Sequence, residues 1–167
     1  MRKFPVPDLS LGSIYELEPT LLVKMEIKLL LMDLDNTLAS NRQKTASKAL
    51  LSWILSLKSA GIEPFIFSNN PGDKPQIFGE LLSIEYIGKA EKPKPKKLME
   101  ILRSKDIKPQ NAAIIGDQIF TDVLCGVRSG VKTIVVRPID MSNPFHLFRY
   151  IVEMPFRLMY SRTKDRR

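Results

Sequence analysis

Asp33 and Asp35 stand one residue apart in LLLMDLDNTL, residues 29–38. Ionised carboxylates lose solvation beside apolar side chains and repel each other, so a cation or a shared proton has to intervene. In an extended chain positions i and i+2 point the same way, which lets both acids face one site. A divalent cation such as Mg²⁺, which takes hard oxygen ligands, would offset the repulsion. A carboxylate in that setting can attack phosphorus, while a second acid protonates the leaving oxygen and later deprotonates water. The competing use of such a pair is N-capping in a loop.

Three further stretches supply partners. In FIFSNNPG, residues 65–72, Ser68 offers a hydroxyl, and Asn69 and Asn70 follow with backbone N–H groups suited to a phosphate. The same Ser-Asn-Asn-Pro-Gly is also good turn chemistry. KAEKPKPKK, residues 89–97, offers a lysine as a point charge on a transferring phosphoryl group. Lys92, directly before Pro93, is the best-placed candidate; Lys89 and Lys94 remain rivals, and most of this basic stretch reads as a solvated loop. In IIGDQIFTD, residues 114–122, Gly116 lets the backbone pass close to a ligand, Asp117 follows a strand as a metal ligand, and Asp122 can hold a metal-bound water.

The elements that must position these residues alternate. Apolar runs at Lys28–Met32, Pro64–Phe67, Ile84–Ile87, Ala112–Ile115 and Thr133–Val136 predict five strands. Helical patterns fill Thr45–Ala60, Pro75–Leu82, Lys96–Lys105 and Ile119–Arg128 between them. Such an alternation predicts an α/β fold, a doubly wound parallel sheet covered on both faces. Ligands bind beyond the carboxyl ends of such strands, and every candidate residue lies there. Ser13–Glu16 spells a capping box, predicting a helix over 13–23.

Composition bounds the rest. The 167 residues suit one domain, and the net charge of +8 favours anionic partners such as phosphorylated molecules, nucleic acid or acidic headgroups. The single cysteine, Cys125, excludes an intramolecular disulfide and fits a reducing compartment and core packing. The N-terminus lacks the apolar run of a signal peptide, and no stretch approaches the about 20 apolar residues of a spanning helix. A cytoplasmic protein, either soluble or peripheral at the inner face of a membrane, is the expectation.

DLDNT, SNN, KP and GDQIFTD, in this order and each after a predicted strand, resemble the four motifs of the haloacid dehalogenase superfamily over about residues 28–137. The resemblance implies a haloacid-dehalogenase-like Rossmannoid fold and a Mg²⁺-dependent phosphatase. It makes Asp33 the nucleophile and Asp35 the acid/base. Thr37, Ser68, Asn69 and Lys92 become phosphate-binding residues. Asp117 and Asp122 become metal acids, with Asp33 and the main-chain carbonyl of Asp35 completing the metal shell. The intervals Asp35–Ser68 and Ser68–Lys92 are filled by elements the sheet itself needs, which leaves no room for a cap domain. An open site suits a macromolecule, a lipid headgroup or a substrate enclosed by a neighbouring subunit.

DLDNTL, the GDQ-x-x-TDV form of the last motif and G-x-R-x-G-x-x-T-I-x-V at 126–136 further resemble the capless branch containing YqeG-type proteins and mitochondrial phosphatidylglycerophosphate phosphatases. Arg128 is carried over from that branch by the same likeness. The implied reaction releases phosphate from phosphatidylglycerophosphate; the alternative substrate is a soluble nucleotide or phosphosugar. The segment 143–167 is amphipathic and ends in basic residues. His146, Arg149, Glu153 and Arg157 lie on one narrow face of its helical wheel. Leu147, Phe148, Ile151, Val152, Met154, Leu158 and Met159 fill the opposite arc, and Pro155 should kink or divide the helix. That arc suits either an anionic membrane surface or packing on the sheet edge or a dimer partner. Non-enzymatic readings fare worse. A phospho-acceptor receiver needs an Asp at the end of its third strand, which IEYIGKA lacks, and no aromatic stacking platform for nucleic acid is visible.

Overall fold

The computed structural model describes residues 4–164, without the side chains of His146 and residues 160–164. Six strands, β1 (Leu9–Leu11), β2 (Leu29–Met32), β3 (Glu63–Phe67), β4 (Glu85–Ile87), β5 (Ala112–Gly116) and β6 (Lys132–Val136), form one sheet in the order β1-β6-β5-β2-β3-β4. Every adjacent pair is parallel. The sheet therefore has one strand more than the five expected. β1 spans only three residues, a run too short for its apolar pattern to predict a strand. Its place is set by Asp8, whose carboxylate accepts from Thr133 N–H at 2.9 Å and from the Thr133 hydroxyl at 3.0 Å.

The chain runs outward from β2 through β3 to β4, then returns to place β5 on the other side of β2. The reversal at β2 opens the crevice in which open α/β sheets bind ligands. Both faces are buried. Leu30 and Met32 pack with Leu50, Ile54, Leu57 and Phe78, under α2 (Lys48–Ser59) and α3 (Lys74–Leu82). Leu29 and Leu31 pack with Leu98, Leu102 and Cys125, under α4 (Lys96–Ser104) and α5 (Leu124–Ser129). The continuous leucine run thus serves both layers, as alternation along a strand requires.

Local chemistry moves several boundaries. Ser47 caps α2 by accepting from Leu50 N–H at 3.1 Å, so that helix starts later than Thr45. The single helix expected over 13–23 is two elements, a 3₁₀ turn at Ile14–Glu16 and α1 (Pro19–Lys24), because Pro19 starts a new helix at its first turn. Glu16 accepts from Gly12 N–H rather than closing a capping box on Ser13. The helix expected from Ile119 opens as a π-helical turn at Ile119–Val123 before α5.

The last element, α6 (Pro144–Lys164), is one helix that Pro155 does not divide. Its orientation is the reverse of an edge-packing helix. Glu153 and Arg157 are buried against the domain, whereas Phe148 is 66% and Ile151 59% exposed. Leu147, Val152, Leu158 and Met159 are exposed with them. Phe156 carries an apolar contact inward, meeting Phe120 edge-to-face at 5.3 Å. Six of the seven arc residues therefore face away from the sheet, and Met154 is half-buried. His146 and the basic end, Arg162 to Arg167, lie outside the described side chains.

Gly126 tests the layer packing. A Cβ there would lie 2.4 Å from Thr133 Cγ2 and 2.5 Å from Ile114 Cγ2, so α5 sits as close to β5 and β6 as a glycine allows. Gly126→Ala is expected to lower unfolding stability by about 1–3 kcal/mol in urea denaturation; wild-type stability would contradict this packing.

Candidate active site

The register builds the site. Met32 lies opposite Ile115, and Asp33 N–H donates to the Ile115 carbonyl at 2.9 Å, which sets Asp33 beside Gly116 and Asp117. Asp122 reaches back from the π-helical turn, its Oδ2 accepting from Gln118 N–H at 3.1 Å. Gly116 makes room for it: a Cβ at that position would fall 2.2 Å from the Asp122 carboxylate. The close approach expected at this glycine is therefore to a neighbouring acid. Asp33, Asp117 and Asp122 are all buried and bring carboxylate oxygens within 4.8 Å of one another.

Lys92 is the counter-charge. Its Nζ lies 2.6 Å from Asp33 Oδ1 and 2.7 Å from Asp122 Oδ1, and the residue is 6% exposed. Asn69 fixes the loop that delivers it, accepting from Lys92 N–H at 2.8 Å and donating to the Lys92 carbonyl at 3.0 Å. Arg128 adds a bond to the Pro93 carbonyl at 3.2 Å and stays at the surface. The rival lysines point elsewhere: Lys94 pairs with Glu91, and Lys89 is exposed. Thr37 donates its hydroxyl to Asp33 Oδ2 at 3.1 Å. The Ser68 hydroxyl accepts from Asn70 N–H at 3.1 Å, so the turn expected of SNN and a buried hydroxyl at the strand end coexist.

Asp35 reaches the same end of the sheet but takes different partners. Lys74 Nζ lies 2.6 Å from its Oδ1 and Asn70 Nδ2 donates to its Oδ2 at 2.7 Å. Its carboxylate is therefore outside the three-acid cluster. Lys74 escaped sequence reading because it opens α3 without a motif of its own; only the fold carries it to Asp35. Arg149, Glu153 and Arg157 were visible as a polar stripe, but a stripe on a surface helix reads as its solvated face. Here that stripe faces inward. Arg157 donates to the main-chain carbonyl of Asp117 and, at 3.0 Å, to that of Val136, while Glu153 lies 3.3 Å from it. Arg149 Nη2 stands 3.5 Å from Asp117 Oδ2.

Three buried acids face one buried lysine and a partly exposed arginine, and their protonation reflects that imbalance. Burial pushes the Asp33 carboxyl up to about 6, Lys92 opposing and Asp122 adding to the rise. Burial and the charges of Asp33 and Asp122 hold Asp117 well above the ordinary carboxylate range. Burial disfavours the Lys92 charge, but Asp122 and Asp33 outweigh it and raise the ammonium above its usual value. Neither Asp117 oxygen accepts a hydrogen bond among the described residues. Buried carboxylate oxygens without donors, beside two further acids, are the donor set of a hard divalent cation. Burial pushes the Cys125 thiol up to about 11, so it stays a protonated core group.

Fold and site together define a haloacid-dehalogenase-type phosphatase acting on a phosphorylated substrate. Residues 1–140 match the family described as "Mitochondrial PGP phosphatase", and the chain belongs to that family. A Bacillus subtilis relative named "Probable phosphatase YqeG" is 37% identical over 145 residues, spanning 87% of this chain and 84% of that one. Solved structures share the fold. The 3-deoxy-D-manno-octulosonate 8-phosphate phosphatase of Moraxella catarrhalis, in complex with magnesium, phosphate and KDO, superposes with a TM-score of 0.50 at 22% identity, covering 60% of this chain and 63% of that one. The cobalt-bound form of the corresponding Haemophilus influenzae phosphatase gives 0.51 at 18% identity, over 78% of this chain and 88% of that one.

The raised acids carry a stability consequence. A carboxyl that binds its proton more tightly folded than unfolded makes stability fall as pH rises from its unfolded value toward its folded one. Metal-free protein is therefore expected to lose melting temperature from pH about 4 through about 6, where Asp33 titrates. Asp117→Asn removes a buried carboxyl whose charged form burial disfavours, and is expected to raise the metal-free melting temperature at pH 7 by several degrees while weakening divalent-cation binding. A destabilised variant, or one whose cation affinity is unchanged, would contradict the cluster.

Proposed function

We propose that the protein is a Mg²⁺-dependent phosphomonoesterase that works through phospho-Asp33 and removes the terminal phosphate of phosphatidylglycerophosphate. The observation that carries the chemistry is Asp33 held between Lys92 and Thr37 beside two further buried acids. Asp33, Asp117 and Asp122 would hold the cation, with the Asp35 carbonyl as the remaining protein ligand. When bound, the cation neutralises charge on the phosphoryl oxygens. Magnesium and cobalt in two phosphatases of the same fold support that choice.

The chain's own groups do the rest. The Asp33 carboxylate forms a bond to phosphorus as the bond to the substrate oxygen breaks, and Asp35 gives that oxygen its proton. Water then attacks phosphorus, Asp35 takes the water proton, and the Asp33 carboxylate leaves. Lys92 and the Ser68 hydroxyl bind the phosphoryl oxygens, with Thr37 and Asn69 orienting Asp33 and Lys92.

The lipid substrate is supported by the family match and by the stretch between Asp35 and Lys92, which holds only α2, β3, α3 and β4, elements of the sheet and its layers. It is also supported by α6, whose outward apolar residues and basic sequence end suit an anionic bilayer lying against the domain. No helix of the described residues is long and apolar enough to cross a membrane, so this contact would be peripheral.

Asp33→Asn is expected to lower kcat by at least about 10⁴-fold with an unchanged circular dichroism spectrum, as loss of a covalent nucleophile does; appreciable residual Mg²⁺-dependent turnover would overturn the covalent route. For the substrate, phosphate release from phosphatidylglycerophosphate in mixed micelles is expected to exceed release from nucleotides and phosphosugars. A preference for the soluble set would remove the lipid reading and leave the chemistry standing.

A further inference from the structure

The inward stripe of α6 brings beside the acids a cation, Arg149, to which the proposed phosphoryl chemistry gives no role. A cavity of about 330 Å³ opens beside the acids, lined by Asp35, Asn36, Asn41, Asn70, Gln118 and Arg149. Arg149 is the cationic side chain among those lining residues. Its side chain is 24% exposed, and its ion-pair contact is the loose one with Asp117, 3.5 Å away and without a hydrogen bond to either Asp117 oxygen. The helix behind it is held firmly. Arg157 spans the Asp117 and Val136 carbonyls, and Glu153 accepts from Phe120 N–H at 3.4 Å. A planar guanidinium with five N–H donors is thus presented on a fixed support, and its ion-pair contact among the described residues is the one with Asp117.

In-line displacement decides what meets it. If Asp33 attacks phosphorus, the departing oxygen lies on the opposite side, where Asp35 protonates it, so the leaving portion of the substrate extends into the cavity that Asp35 lines. Arg149 lines that same cavity. We infer that Arg149 is a specificity-determining residue that binds a second anionic group, a phosphodiester, on the leaving portion of the substrate. A phosphodiester presents two unesterified oxygens to the guanidinium fork, and the asparagines and glutamine that line the cavity add no negative charge. The residue lies beyond the 1–140 segment that matches the family, so this contact is a contribution of α6 rather than of the four motifs. The inference rests on the proposed roles of Asp33 and Asp35, but not on the bilayer.

The test uses two water-soluble substrates and the full chain. One is the deacylated headgroup of phosphatidylglycerophosphate, which carries both the phosphodiester and the terminal phosphate. The other is glycerol 3-phosphate, which carries the monoester alone. Wild type is expected to prefer the first, and Arg149→Gln to shrink the ratio of the two kcat/KM values by about 10- to 100-fold, the range of a lost charge-assisted contact. The loss should fall on KM for the two-phosphate substrate, with Arg149→Lys retaining part of the ratio. A ratio unchanged by Arg149→Gln, or a wild type with no preference between the pair, would overturn the inference. Failure on micellar lipid with this soluble preference intact would count against the membrane reading alone. If Arg149→Gln does not fold, Arg149→Lys and inhibition of wild type by glycerophosphoglycerol decide the matter: inhibition that the Lys variant weakens supports the contact, and its absence refutes it.

Discussion

Three buried carboxylates set against one buried ammonium constrain everything else in this molecule. Asp33, Asp117 and Asp122 share a space of a few ångströms, and Lys92 touches two of them. The desolvation that raises Asp33 and Asp117 is the same force that makes the cluster eager for a divalent cation. A site built this way disfavours three ionised carboxylates side by side, so the scaffold has to hold them together. The π-helical turn carrying Asp122, the glycine at 116 and the parallel pairing of β2 with β5 are the parts that do so.

Support extends outward in layers. Asn69 closes a reciprocal pair of bonds on the Lys92 main chain, and Arg128 holds the next residue's carbonyl. Lys74 and Asn70 hold Asp35 away from the cluster, separating the proposed proton carrier from the proposed nucleophile. Arg157 grips the ends of β5 and β6 from α6. The C-terminal helix is thereby part of the site's wall, while its apolar residues face outward. One helix presents a polar face to the reaction and an apolar face to whatever lies against the domain.

The sheet and the acids were legible because their signals are local. Apolar runs ended by Asp33, Ser68 and Asp117 mark strands and their carboxyl ends at once, and the spacing of Asp117 and Asp122 fits one turn. Lys92 was separable from Lys89 and Lys94 only by the loop geometry that Asn69 imposes, which no spacing rule contains. β1 depends on Asp8 meeting Thr133 across most of the chain, and Lys74 meets Asp35 only after the crossover from β2 through α2 to β3. The orientation of α6 was the hardest case. A helical wheel separates two faces but does not say which one the domain will bury, and here a buried Arg157 with carbonyl partners outweighs the exposed leucines and phenylalanines.

Every proposed role in the site depends on Asp33 carrying the phosphoryl group. Rapid acid quench of a single turnover with radiolabelled phosphomonoester, followed by peptide mapping, reads this directly. The label should appear transiently on the peptide containing DLDNT, at Asp33, and disappear as phosphate is released. Phosphate release with no labelled enzyme at any time, or label on a peptide lacking Asp33, would contradict it.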